Sequence, residues 1–579
     1  MKRLSVKVLL KRSTFCILAA MVLLLTSCTQ SINTGDASKT GTVSRADGAA
    51  DNKSELVVGV PTLGNESFTI RQRGTHLIPI VYEPLFRSFY INAQKEGKEE
   101  WRNYPDLAES YTVSEDGLTY SIKLRQGIQF HDGWGELTAE DAVYSFGLIA
   151  DPANESSGNF YFADPSEGGY IKSYEAVDKY TLRVTLSRVY PMFIDDMTDQ
   201  HLNMYCKKYI EEKGLEYAAE HPVGTGPWKL AEQVKGDYIK FERVENHWDH
   251  TPEFKYLTLK LVADSASQLL MLKNGQLDMI QIIPDQIEEV QASNLKIIEI
   301  PEKSMVSVLF GGQFFESEKH YDPTVPWANH SEEPLDSEWN KRTLKVRQAL
   351  CHAIDYKAIQ DVFMKGYAKD ATMIDFIPGQ PWCKDEWVPY EYNPEKARQL
   401  LAEAGYPNGF SKSIEFLISS ALTNGVDTPK ISQAVIANLE AIGLKVNKTV
   451  MDSNRLHETW RVQRDTAWRM SVNVSELLVS PLFGWPWNRT SYSDDLTIGE
   501  YHDIDTLVGK ALTTVDDNKR TEVIQQVGQW CYDNYIERSL CANPIFWAAG
   551  PDVKGWEDFK YYESSRNFTQ TFERVQKAD

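Results

Sequence analysis

Apolar and polar residues recur along this chain with two periods, and the periods place its elements. Leu56 to Val60 is a short apolar run that predicts a strand. Leu118, Tyr120, Ile122 and Leu124 recur at every second residue, as do Leu182, Val184 and Leu186. Period two sends successive side chains to opposite faces of a sheet, so both stretches predict half-buried strands. Elsewhere the spacing is helical. Ala397, Leu400, Leu401 and Ala404 share one face of a helix that Asn393 caps and Pro394 opens, with Gly405 as its stop and Pro407 just beyond. Ile431, Val435, Leu439 and Ile442 trace another helix from Pro429 to Gly443, after which Leu444 to Val450 alternates like a strand. Thr138 and Asp141 form a shortened capping box ahead of Val143 and Phe146, and Val346, Ala349, Leu350 and Ala353 make a further core-facing stripe. Strands alternating with helices predict an α/β fold class. No internal repeat or low-complexity run follows Ser54.

The first 54 residues do not belong to that pattern. Lys2, Arg3, Lys7, Lys11 and Arg12 precede an apolar run from Phe15 to Leu25. A run this short falls below the ~20 residues a membrane-crossing helix needs, but it suits the core of a signal peptide. It ends in Leu25-Thr26-Ser27-Cys28, an apolar residue, two small ones and a cysteine, which resembles the bacterial lipobox. Residues 1–27 are therefore expected to be a signal peptide and Cys28 the lipidated residue. Thr29 to Ser54 is rich in Thr, Ser, Gly, Ala and Asp, cannot bury enough surface to offset its ordering entropy, and predicts a flexible tether over residues 28–54. A lipid, a tether and a globule describe a soluble body anchored at the outer face of a bacterial cell membrane.

Charge narrows the partners. Residues 1–27 hold five positive charges and no acids, so removing them takes the formal net charge from −21 to −26. Such a chain has no broad basic face for nucleic acid. The remaining 552 of the 579 residues exceed one core, and two or three lobes are expected. Beyond Cys28 the mature chain has Cys206, Cys351, Cys383, Cys531 and Cys541, whose spacing matches no metal knuckle or disulfide framework. Export permits a Cys531–Cys541 bridge, and buried free thiols are the other reading.

Motifs with catalytic associations are weak here. Gly224-Thr225-Gly226-Pro227 lacks the Gly-Lys-Ser/Thr ending of a phosphate loop and reads as a tight turn into a strand at Trp228. His131-Asp132 has no second histidine at metal-ligand spacing. Cys351 follows Leu350 on an amphipathic helix, where a cysteine is ordinarily core. No nucleophile elbow or zinc-binding His-Glu-x-x-His helix occurs. The expectation is a binding protein and not an enzyme, with no cofactor and no metal.

Several segments, taken in order, resemble the peptide/nickel class of extracellular solute-binding proteins. They include Tyr82-Glu83-Pro84-Leu85, Pro105-Asp106-Leu107-Ala108-Glu109-Ser110, Phe130-His131-Asp132-Gly133, and Leu137 to Phe146. Pro222 to Leu230, Asn246-His247-Trp248, Gly275 to Asp278, Val346 to Leu350 with Ala353-Ile354-Asp355, and Tyr392 to Phe410 complete the series. The resemblance covers most of residues 55–450 and is looser beyond. It implies a periplasmic-binding-protein-like fold with two ligand-gripping lobes, a hinge and an extra third lobe. Lobe I would comprise 55–85, 221–312 and 541–579, lobe II 86–220 and lobe III 313–540. It further implies a monomer that captures a solute by hinge closure and hands it to the permease of an ABC importer.

The same resemblance makes short peptides the expected ligand. Many members pair a late Asp, in a Tyr-x-Asp-Pro-like segment, with the peptide's amino group. The corresponding stretch here, Met470 to Trp487, has Glu476 but no Asp-Pro. Either Glu476 substitutes, or the ligand has no free ammonium. With 15 Trp and 28 Tyr in the chain, Trp485 and Trp487 are candidate walls of the pocket, because rings on loops bury area with little entropy loss. Packing inside the lobe is their alternative role. An oligosaccharide, metal chelate or opine is the alternative ligand, and a peptide sensor without transport the alternative role.

Overall fold

The computed structural model describes residues 54–578, apart from 65, 69, 71–76, 92–99, 157, 165–168, 199, 316–318, 331, 374–375, 421, 424, 477–498 and 555–571. Cys28, Trp485 and Trp487 lie outside the described residues. Of the eighteen strands among the described residues, sixteen build the larger sheets. They are β1 (Glu55–Val60), β2 (Phe86–Ile91), β3 (Glu100–Pro105), β4 (Ala108–Val113), β5 (Thr119–Leu124), β6 (Ile171–Asp178), β7 (Thr181–Leu186) and β8 (Trp228–Val234). They continue as β9 (Tyr238–Arg243), β10 (Tyr256–Leu261), β11 (Met279–Ile282), β12 (Lys296–Phe310), β13 (Ile414–Ser419), β14 (Val446–Met451), β15 (Arg469–Glu476) and β16 (Glu537–Ala549).

Ten of these make one sheet in the order β14-β13-β15-β12-β16-β11-β1-β10-β9-β8. Strands β4-β5-β7-β6 form a separate antiparallel sheet, and β2 pairs with β3. Tyr120, Ile122 and Leu124, with Leu182, Val184 and Leu186, point to one side of that smaller sheet and are buried, as the alternation predicts. Helix Ala139–Ala150 packs there, and Asp141 takes the N–H of Thr138 at its start, so the shortened capping box is real.

The helices around β13 follow the sequence pattern closely. Asn393 accepts the N–H of Lys396 and caps helix Pro394–Glu403, while Gly405 ends it at φ 92°, a left-handed conformation that costs glycine little. Helix Thr428–Ala441 starts one residue earlier than Pro429, capped by Asp427, and buries Ile431, Val435 and Leu439. These residues, with Val306, Val308, Phe310, Ile414, Phe416 and Ile418, form one core. The expected Leu444–Val450 strand forms at Val446–Met451, but Val450 is 64% exposed. The reason is position: β14 is the outermost strand and has a neighbour only in β13.

The Gly224–Pro227 turn is a matter of close approach. A Cβ on Gly224 would sit 2.0 Å from the Val81 carbonyl oxygen, and one on Gly226 2.8 Å from the same atom. His131 takes the Gly224 N–H on Nδ1 at 3.3 Å and holds the Gly226 carbonyl from Nε2 at 2.8 Å, so it ties two signature segments together. Burial pushes its pKa down to about 4, which keeps the ring neutral. Cys206, Cys351, Cys383, Cys531 and Cys541 are all separate buried thiols.

Candidate ligand-binding cleft

Two long strands lie side by side near the middle of the large sheet. β12 has 15 residues and β16 has 13, and they are antiparallel neighbours from end to end. The Lys296–Ile300 end of β12 lies beside β16 where β16 also pairs with β11, and the Ser304–Phe310 end lies between β16 and β15. Between these halves the ladder slips: three residues of β12, between Ile300 and Ser304, pass one of β16, between Ile545 and Asn543. A bulge of this kind bends and twists a strand pair.

Strand direction then locates a crevice. β11 pairs Ile282 with Phe546, so its carboxyl end points to the slip, and β1 and β10 run parallel to it. From the other side, β15 pairs Glu476 with Ser304, so its carboxyl end points to the same place, and β13 and β14 run parallel to β15. Open α/β sheets bind ligands outside the carboxyl ends of their strands, where the strand order reverses. Here two such sets of ends face each other across β12 and β16.

The halves touch across this junction through a few light contacts. A Cβ on Gly425, in the turn after β13, would lie 3.4 Å from the carbonyl oxygen of Ile282 at the end of β11. Lys365 reaches Asp285 at 3.2 Å, and the Tyr367 and Phe546 rings meet at 5.0 Å. Lys369 exchanges both backbone hydrogen bonds with Ala542, each at 2.9 Å, on the edge of β16 that β11 covers further along. An ion pair as exposed as Lys365–Asp285 contributes about 0–1 kcal/mol.

The chemistry at the slip is polar and incomplete. The hydroxyls of Ser304 and Ser307 on β12 and of Ser475 on β15, with both amide atoms of Asn543 on β16, are buried without a hydrogen-bond partner among the described residues. Ser304, Ser307 and Asn543 are 0% exposed. Each unsatisfied buried group costs about 1–3 kcal/mol, so such a set persists where water or a ligand completes it. The backbone is incomplete there as well. Among the described residues, β15 pairs with β12 along Met470–Glu476, but with β13 only at Arg469–Ser471. Its Val472–Glu476 stretch therefore offers one free edge, a template for an added strand.

Of the residues proposed from sequence, Glu476 is the last position of β15, opposite Ser304. The 477–498 segment that follows carries Trp485 and Trp487. Beyond it, Gly499 bridges Gln313 and the Glu500 N–H binds the Gln313 carbonyl at 2.7 Å. A buried Arg464–Glu500 ion pair at 2.5 Å and the Phe315 N–H on Glu500 fix that point. Ser304, Ser307, Ser475 and Asn543 were not picked out from sequence. The available signal was Ser471, Asn473 and Ser475 alternating with Met470, Val472 and Val474, a polar face on a strand whose other face is core.

Catalytic readings gain nothing. Cys351 lies in the core against the Glu537 carbonyl, with burial pushing its thiol up to about 12. Among the described residues no group of three His, Cys, Asp or Glu is placed to hold a metal. No helix among them is long and apolar enough to cross a membrane. A pocket of about 690 Å³ is lined by Lys412, Glu415, Asp465 and Arg469 near the amino ends of β13 and β15 and by Thr449 and Met451 along β14.

Residues 103–493 match the family described as bacterial extracellular solute-binding proteins, family 5 middle. The glutathione-binding protein GsiB of Escherichia coli O1:K1 is 30% identical over 447 residues, which are 73% of this chain and 79% of that protein. Among solved structures, the ABC transporter-associated periplasmic binding protein DppA of Helicobacter pylori, in complex with the peptide STSA, superposes with a TM-score of 0.74. It is 21% identical and the match covers 91% of this chain and 98% of that one. The oligopeptide-binding protein AppA of Bacillus subtilis, in complex with a nonapeptide, gives 0.73 at 21% identity over 91% and 99%.

Proposed function

This chain belongs to the family 5 bacterial extracellular solute-binding proteins, and on that premise we propose that the solute it captures for import is a short peptide. It is the substrate-binding component of an ABC importer, with a periplasmic-binding-protein-like fold. Its family and structural neighbours are binding proteins, not enzymes.

The observation that carries the peptide reading is the free edge of β15 at Val472–Glu476, set where the carboxyl ends of six strands converge. A peptide backbone added there satisfies main-chain groups whatever its side chains, which couples firm binding to broad specificity. The partnerless Ser and Asn groups hold water or ligand amides. In this reading Glu476 accepts the peptide's ammonium, and Trp485 and Trp487 wall the pocket. The support for Glu476 is its place at the end of that edge.

Hinge closure is the proposed mode of capture, between lobe I made of 55–85, 221–312 and 541–579 and lobe III of 313–540, and the slip between the long strands β12 and β16 supports it. Lobe II, residues 86–220, holds the smaller sheet and in this reading makes little contact with the ligand. The protein works as a monomer, exported by residues 1–27 and held to the cell membrane through a lipid on Cys28 and the 28–54 tether. Cys28→Ser tests the anchor: the variant is expected in the soluble fraction after fractionation, and membrane retention of it overturns the lipid.

Native mass spectrometry of purified residues 29–579, followed by denaturation, tests the ligand. A ladder of peptide masses is the expected release. The partnerless Ser and Asn groups at the junction are neutral, which favours an uncharged solute such as an oligosaccharide as the second reading. A single sugar or chelate mass overturns the peptide and leaves the transport role intact.

A further inference from the structure

Four stretches of chain far apart in sequence meet around one buried guanidinium. Arg87, in β2, donates from Nη2 to Glu83 at 2.8 Å and from Nε to Asp106 at 2.7 Å. Its Nη1 lies 3.8 Å from Glu573, in the C-terminal segment. All four side chains are at least nine-tenths buried. With every carboxyl ionised, three negative charges would face one positive charge where water does not reach. An uncompensated buried ion costs several kcal/mol, and taking up a proton removes that cost.

The neighbouring groups supply only part of the missing charge. Arg125 directs its Nε to the Asp106 backbone carbonyl at 2.7 Å and lies over the Trp248 ring. Arg574 pairs with Asp249 at 2.6 Å and comes only within 4.0 Å of Glu573. His247 sits 3.6 Å from Glu83, yet its Nε2 is 2.9 Å from the Thr225 carbonyl and its Nδ1 accepts the N–H groups of Asp249 and His250. With one ring nitrogen donating and the other accepting, His247 is a neutral imidazole. Burial accordingly holds it at about 4, and lowers His250 as well. The proton must therefore sit on a carboxyl. Burial raises Glu83, Asp106 and Glu573 each to about 7.

The three carboxyls differ in how firmly they are held. Glu83 also receives the Trp248 indole N–H at 3.0 Å, and Asp106 has the shortest bond to Arg87, whereas the Glu573 contact is the longest. We propose that Glu573 carries a proton in the folded protein and that this proton clasps the C-terminal segment to the body. Losing it adds a second uncompensated negative charge, and the segment loosens because it holds the least constrained carboxyl. The segment is also held by the Arg574–Asp249 pair, by the His250 ring on the Glu573 backbone, and at its margins. Phe572 packs edge-on to Trp547 of β16 at 6.0 Å, and Lys577 donates its N–H to Glu253 at 3.0 Å. Two short strands, β17 (Val553–Lys554) and β18 (Gln576–Lys577), pair there. The clasp thus covers one of the two strands that cross the junction.

Hydrogen exchange of residues 29–579, corrected for the intrinsic rate, tests the clasp at about pH 6 and about pH 8.5. Protection of residues 572–578 is expected to fall about tenfold at the higher pH, the size of a one-unit proton linkage, while β12 and β16 hold steady. Glu573→Gln, neutral and of the same shape, is expected to give equal protection at both. Wild-type protection that does not change with pH, or a drop that survives in Glu573→Gln, overturns the proposal. Should that variant not fold, Asp106→Asn serves instead: fewer competing acids should move the drop to a higher pH, and an unmoved drop overturns the clasp.

Discussion

The junction and the Arg87 cluster are both buried and both polar, but they are finished differently. Around Arg87 the charged groups face one another, and the Glu83 and Asp106 carboxyls are both bonded to the guanidinium. At the slip between β12 and β16 the Ser304, Ser307, Ser475 and Asn543 groups are neutral and have no partner among the described residues. The difference separates scaffold from site. A charge cannot be left waiting for a partner in a dry interior, so charged clusters are completed by the protein and a proton. Hydroxyls and amides left incomplete cost about 1–3 kcal/mol each, which a soluble occupant can return on binding. A site that must open and refill suits the second kind of group.

That contrast breaks most visibly at Arg87. Arg87→Met leaves three carboxyls facing one another and is expected to cost about 3–5 kcal/mol, measured as a drop in urea midpoint. A loss below about 1 kcal/mol would mean the acids relax into water and the cluster is no scaffold. The pH dependence is next in size. The folded carboxyls near 7 hold protons that an unfolded chain, with values near 4, gives up. Stability is therefore complete at low pH and lost as pH rises through about 7. His131 and His247, near 4 when folded and ~6.5 when unfolded, oppose this below about pH 6.5 and are silent above it. The melting temperature should thus fall between about pH 6.5 and about pH 8, at up to about 1.4 kcal/mol per unit per proton. A flat profile there would place the carboxyl pKa values well below 7.

Smaller effects belong to the junction. Asn543→Ala should change the free protein's stability by less than about 1 kcal/mol, since no hydrogen bond is lost. It should weaken binding of the solute recovered from the purified protein about tenfold, or about 1.4 kcal/mol by calorimetry. The opposite result, large destabilisation with unchanged affinity, would make Asn543 scaffold. Lys365→Ala is the mildest change, worth less than about 1 kcal/mol. By small-angle scattering it should shift the ligand-free protein slightly toward a more extended form, and an unchanged curve would show that the pair does not bias the junction.

Much of this molecule was readable from local pattern. The capped helices at 139–150 and 394–403, the half-buried strands at 119–124 and 181–186, and the core position of Cys351 follow from neighbours within a few residues. The ordered motifs from Tyr82 to Phe410 were enough to assign the family. Two things misled or escaped. Val450 continues an apolar alternation yet faces solvent, because whether a strand is central or outermost depends on which strands pair with it. The Ser and Asn alternation in β15 was visible, but nothing local says that such a face is buried and unpartnered.

The sequence alone determined the elements, their caps and the class of fold, because those depend on short-range sterics, hydrogen bonding and apolar period. Only the tertiary structure decided where the strand ends meet, since Ile282, Ser304, Glu476 and Asn543 are brought together by ladder register over hundreds of residues. The same holds for the Arg87 cluster. Glu83 and Arg87 are one helical turn apart in number, but Asp106 and Glu573 join them only because burial around a shared charge is a property of the folded interior.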